Sequence, residues 1–203
     1  GNSSQKAVWV SGFFGSGKSH LLKMLAHLWA DSPFPDGATA RGIVPEMPKE
    51  IRAHFAELDQ AGRRHGGLFS AAGTLLAGSH DRVRETVLGV ILRAAGLPEQ
   101  YPVARFVLWL EREGALDKVQ KHVEANGGVW QKELANLWVS TRIRKAILAW
   151  DKNFAPSEAD VRAALKQQFQ EQTGDLTTPE FIGLAKDVLL RHAAQHSNNP
   201  EQL

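Results

Sequence analysis

Ala7-Val8-Trp9-Val10-Ser11-Gly12-Phe13-Phe14-Gly15-Ser16-Gly17-Lys18-Ser19-His20-Leu21-Leu22 decides how the rest of the 203 residues is read. Ala7 to Val10 is a short β-branched and aromatic run between Lys6 and a glycine-rich stretch, which predicts a strand buried on both faces. Beyond the glycines, Leu21, Leu25, Leu28 and Trp29 recur at helical spacing until Pro33 and Pro35 end the pattern. Between the two lies Gly12 to Ser19, with the spacing G-x-x-x-x-G-K-[ST] of a phosphate-binding P-loop, or Walker A motif. A strand before and a helix after are the context this motif requires.

The chemistry needs these residue types. A loop that wraps a polyphosphate turns its backbone amides inward, and Gly12, Gly15 and Gly17 permit dihedrals and close approaches that a β-carbon blocks. The helix N-terminus adds free amides and a favourable dipole. Lys18 would reach the β- and γ-phosphates, and the Ser19 hydroxyl would ligate a magnesium ion bridging them. The expected site is therefore Gly12, Phe13, Phe14, Gly15, Ser16, Gly17, Lys18 and Ser19, taking ATP and Mg2+. Phe13 and Phe14 read as filling between loop and sheet, and His20 as a polar residue of the first helical turn.

Outward from the loop, Ile51, Phe55 and Leu58 predict a helix over Lys49 to Ala61 with Gly62 as its stop. Gly67 to Ala72 reads as a second parallel strand reached through a helical crossover. From Asp81 onward, helices are expected over Arg82 to Ala95, Val103 to Glu113, Leu116 to Ala125, Gln131 to Trp150, Glu158 to Gln172 and Pro179 to His196. Ser157 with Asp160 and Thr177 with Glu180 mark two of the starts. The expected fold class is α/β: a partial, AAA-like P-loop NTPase sheet opening with strand, P-loop and helix, followed by a largely α-helical segment. The expected domains are residues 1–80 as the P-loop core portion, 81–196 as the helical segment and 197–203 as a disordered tail.

Hydrolysis needs a second acid, at the end of a buried strand, to hold magnesium. Phe106-Val107-Leu108-Trp109-Leu110-Glu111 and Ile147-Leu148-Ala149-Trp150-Asp151 are the two candidates. The second closes a face of Val139, Ile143, Ala146, Ile147 and Trp150 at helical spacing, so Asp151 reads as just past a helix end. The first is apolar all round, where a buried helix competes with a strand, leaving Glu111 the weaker of the site residues. His192 and His196 stand four apart on one helix without a third ligand, which argues against a metal site. Arg142, Arg144 and Lys145, and Arg63-Arg64-His65, read as solvated surface. The tryptophans at 9, 29, 109, 130, 138 and 150 read as core or domain contacts.

Composition excludes several classes. Hydrophobic residues make up 43% of the chain, enough for a core, and there is no cysteine, which removes disulfide scaffolds, thiolate metal sites and cysteine nucleophiles. The 24 basic residues against 22 acidic ones leave a net charge of +2, no strong pull toward nucleic acid. No apolar run spans a bilayer and no signal peptide opens the chain, so a cytoplasmic protein is expected.

Val8-Trp9-Val10-Ser11-Gly12-Phe13-Phe14-Gly15-Ser16-Gly17-Lys18-Ser19-His20-Leu21-Leu22-Lys23-Met24-Leu25 resembles the amino-terminal part of the large P-loop ATPases of bacteriophage exclusion (BREX) systems, BrxC, and the related PglY proteins of phage growth limitation. The double phenylalanine and the Ser-His after the lysine make the match more specific than a generic Walker A. Ala104-Arg105-Phe106 through Trp109-Leu110 and Glu113-Gly114-Ala115-Leu116 are similar too, in segments expected to be helical in that family. The resemblance implies an AAA-like antiphage-defence ATPase that works with other defence-system proteins, with homo-oligomerisation and, in the whole protein, DNA contact as further possibilities. It also implies that this chain is an amino-terminal piece carrying the nucleotide site without its Walker B and hydrolysis machinery. The alternative is a complete small P-loop kinase or NTPase switch in which Glu111 or Asp151 supplies the magnesium carboxylate.

Overall fold

The computed structural model describes residues 8–64, 66–75, 82–170 and 174–197; of His196 and Ser197 only the helical backbone is described. Helix makes up 61% of it, and among the described residues there is no strand. The fold is all-helical, which corrects the expected α/β class. The elements are α1 (Lys18–Ala30), α2 (Lys49–Arg63), α3 (Val83–Ala94), α4 (Tyr101–Arg112), α5 (Leu116–Ala125), α6 (Trp130–Ala135), α7 (Thr141–Trp150), α8 (Glu158–Gln168) and α9 (Thr178–Ser197).

The correction has a physical reason at each expected strand. Ala7 lies outside the described residues; Val8, Trp9 and Val10 pair with no strand, and Trp9 is 90% exposed. Gly67 to Ala72 has no ladder either. Instead Gly66 and Gly67 adopt positive φ, and the Gly67 N–H donates to the Gly62 carbonyl at 2.9 Å, so the glycines close the end of α2. Without two paired strands there is no AAA-like sheet among the described residues.

The chain divides into two compact units, one of Gly1–Ala72 with Leu189–Leu203, the other of Gly73–Val188. The expected boundary at 80/81 and the tail beyond Ser197 lie outside the described residues. In the first unit, α1 buries none of its residues completely. Asp31 ends it in the left-handed region at φ 47, the only such non-glycine among the described residues. The chain then turns back through an isolated antiparallel bridge between Pro33 and Thr39, with Ala40 N–H on the Ser32 carbonyl at 3.0 Å. Elsewhere in this unit the His192 ring stands edge-on to Phe69, centroids 5.2 Å apart.

The Gly73–Val188 unit has a dense core. α4 starts with Pro102 in its first turn and buries eight residues from Tyr101 to Leu110, being apolar on nearly every side. Val119 and Val123 of α5 are buried, as are Ile143, Ala146 and Ile147 of α7, and α5 and α7 pack most extensively. Phe106, Trp109, Trp150, Phe154 and Phe169 form a ring cluster with centroid distances of 5.5–5.9 Å. The single helix expected over Gln131 to Trp150 is two. Asn136 ends α6, and Ser140 starts α7 by accepting the Ile143 N–H at 3.0 Å while its hydroxyl donates to Glu133 at 2.6 Å. Helix α8 stops at Gln168, short of the expected Gln172.

Candidate phosphate-binding site

The loop Gly12 to Gly17 is exposed and runs directly into α1. Gly15 has φ 81 and Gly17 φ 82, while Ser16 between them keeps the ordinary negative sign. An alternation of this kind is the one by which backbone nests turn successive amides toward an anion, and L side chains rarely adopt either glycine's dihedral. A β-carbon at Gly12 would stand 2.9 Å from the Ser16 Oγ, a contact that rotation of the serine side chain relieves. The Ser16 N–H donates to the Phe13 carbonyl at 3.2 Å, and the first helical bond runs from Leu21 N–H to Gly17 at 2.8 Å. The amides of Lys18, Ser19 and His20 are thus the orphan donors of the helix start, and no side chain caps them.

Lys18 folds back over the loop. Its Nζ donates to the Gly12 carbonyl at 2.7 Å, the Phe13 carbonyl at 2.6 Å and the Ser16 Oγ at 3.3 Å. An ammonium has three donors, and all three are used within the loop it would serve. The Ser19 hydroxyl is exposed and makes no hydrogen bond among the described residues. Phe13 and Phe14 project into solvent rather than filling a gap against a sheet, Phe14 completely so. All eight expected residues are therefore together in one loop and helix start.

The other candidates take different places in the fold. Glu111 lies in the last turn of α4, and Asp151 is the C-cap of α7, whose carboxylate accepts the Asn153 N–H at 2.9 Å. Neither ends a strand. Among the described residues no three His, Asp or Glu gather as a metal cage, and the side chain of His196 lies outside them. Arg142 bonds Glu133 and the Asn126 carbonyl, while Arg144 bonds Val139 and Thr141, so both are used in the fold. Arg63 and Arg64 end α2, and His65 is outside the described residues. Trp109, Trp130 and Trp150 serve the core, and Trp138 donates to the Phe169 carbonyl at 2.9 Å, but Trp9 and Trp29 do not.

Sequence reasoning missed Arg41, which is bonded to the far end of α1. The Pro35-Asp36-Gly37 turn signal, which predicts that the chain reverses after α1, could have pointed to it. No family model matches the chain, and no solved structure matches it. No helix of the described residues is long and apolar enough to cross a membrane.

Proposed function

We propose that Gly12 to Ser19 binds the polyphosphate of a magnesium–nucleotide complex, ATP being the expected ligand. The observation that carries this reading is the conjunction of two positive-φ glycines flanking Ser16 with an uncapped helix start at Lys18. Inward amides and a helix dipole stabilise a phosphate without any basic surface, consistent with a net charge of only +2. Lys18 would exchange carbonyl acceptors for phosphate oxygens, its stem already lying across the loop. Ser19, whose hydroxyl makes no hydrogen bond among the described residues, would offer it to a magnesium ion otherwise held by phosphate and water oxygens. Magnesium supplies charge neutralisation of the phosphates; the chain's residues bind and orient.

The resemblance of residues 8–25 to BREX-type ATPases supports a role in antiphage defence alongside other defence proteins, with nucleotide binding as this chain's part in it. The test is calorimetric titration with magnesium–ATP of wild type and Lys18→Ala. Replacing two or more charge-assisted hydrogen bonds should weaken binding by at least about tenfold. Equal affinity in the two proteins would overturn the assignment.

A further inference from the structure

Helix α1 carries the phosphate loop, yet no residue along its 13 positions is fully buried, so core packing does not set its direction. What holds it is at the other end. Arg41, with a side chain only 12% exposed, points all three guanidinium nitrogens at fixed acceptors. Its Nε donates to the Leu28 carbonyl at 2.7 Å and its Nη2 to the Trp29 carbonyl at 2.8 Å, while Nη1 meets the Asp59 carboxylate of α2 at 2.6 Å. The guanidinium also lies over the Phe55 ring, 4.2 Å from its centroid. The Arg41 N–H in turn donates to Asp31, the C-cap of α1, at 2.9 Å.

We infer that Arg41 is the positioning residue of the phosphate loop, fixing the direction of α1 by clamping its terminal carbonyls onto α2. The inference rests on the nucleotide-binding reading for its functional meaning, though not for its geometry. A rigid planar fork aims donors from three separate nitrogens in fixed directions, whereas an ammonium gathers its three donors on one nitrogen at the end of a flexible stem. A positive group at the carbonyl end also complements the dipole whose positive end faces the loop. The clamped carbonyls of Leu28 and Trp29 lie about 15 Å of helix from Lys18, so a small tilt at Arg41 displaces the amides at Gly15, Gly17 and Lys18.

The experiment compares wild type, Arg41→Lys, Asp59→Asn and Phe55→Leu in the full chain, reading the amide resonances of Gly15, Gly17 and Lys18 by NMR without ligand, then titrating magnesium–ATP. Arg41→Lys keeps the charge beside Asp59 but loses the double carbonyl contact. It should displace or broaden the loop resonances and weaken magnesium–ATP by on the order of tenfold. Asp59→Asn keeps both carbonyl contacts and an amide oxygen to accept from Nη1, so the tie to α2 persists without its charge; it should leave the loop resonances in place and affinity within about twofold. Should Arg41→Lys unfold, Phe55→Leu, which removes only the ring beneath the guanidinium, carries the same expectation in milder form. Unmoved loop resonances in the folded variant overturn the inference, as does an Asp59→Asn effect equal to that of Arg41→Lys. A wild type that binds no nucleotide overturns the functional reading, while the ligand-free resonances still decide the role of Arg41.

Discussion

Helices α1 and α4 are nearly equal in length and differ in almost everything that burial controls. α4 buries eight of its twelve residues, and Phe106 and Leu110 are wholly inaccessible; α1 leaves Leu21, Leu22, Met24, Leu25 and Trp29 all more than 40% exposed. The chemistry-bearing motif stands on the second kind of helix. The contrast teaches that the loop Gly12 to Ser19 is shaped locally, by glycine dihedrals and a helix start, whereas a core helix is specified by what surrounds it. The loop takes its shape here with no strand among the described residues.

The sharpest way to press that contrast is truncation in the core. Phe106→Ala removes a ring packed against Trp109 and Phe169 at 5.9 and 5.5 Å, and should cost about 3–5 kcal/mol in urea unfolding followed by tryptophan fluorescence. A loss under about 1 kcal/mol would mean that the core is no better packed than α1. Next comes the cap that divides α6 from α7. Ser140→Ala deletes the acceptor of the Ile143 N–H and the donor to Glu133 together, an expected loss of about 1–2 kcal/mol by the same measurement. If stability is unchanged, the break between the two helices is held by Leu137 and its buried neighbours alone.

A titratable tie within the Gly73–Val188 unit gives a subtler test. Asp175 accepts N–H bonds from Glu85 at 3.1 Å and Leu176 at 3.0 Å, with Arg84 beside its other oxygen at 3.4 Å. Burial raises its carboxyl, but those N–H bonds and the Arg84 guanidinium outweigh it, and the net displacement is below the ordinary value of 3.8. A depressed carboxylate adds stability above its unfolded pKa and loses it as pH falls through the folded one. Asp175→Asn should therefore melt below wild type near neutral pH, with the gap closing in acid below 3.8. A gap constant with pH would assign the effect to shape rather than charge.

What the sequence showed and what it hid follow the same division. The candidate loop, Gly12 to Ser19, was readable as a pattern because its eight residues are contiguous. Helices were legible wherever apolar spacing was long; α5 runs over the expected Leu116–Ala125, and α2 runs only past its expected end. The strands were misread because β-branched and aromatic runs such as Val8-Trp9-Val10 are necessary for a buried strand without being sufficient. A strand exists only by its ladder, and the partner is not written in the run itself. Asn136 and Ser140 did carry a break signal, masked by the uninterrupted apolar spacing around them. Arg41 escaped because its partners, Leu28, Trp29 and Asp59, lie up to 18 positions away and two of them are backbone carbonyls.

The smallest expected effect is the one that most directly tests the α1 side of the comparison. Leu22 is 52% exposed, so replacing it with glutamine removes little contact and opens no cavity. Stability should then stay within about 0.5 kcal/mol of wild type, and magnesium–ATP affinity should not change, because Leu22 lies past the first turn whose uncapped amides are proposed to meet the phosphate. Measured over a range of protein concentrations, the same variant distinguishes a bare stripe from a covered one. A stripe bare in solution gives a concentration-independent difference near zero. A loss of about 2 kcal/mol or more that grows with concentration would mean that apolar side chains of α1 are buried against another copy, since burial that stabilises by mass action depends on concentration and burial within one chain does not. The contrast between α1 and α4 would then be one of where the covering surface comes from, not of whether it exists.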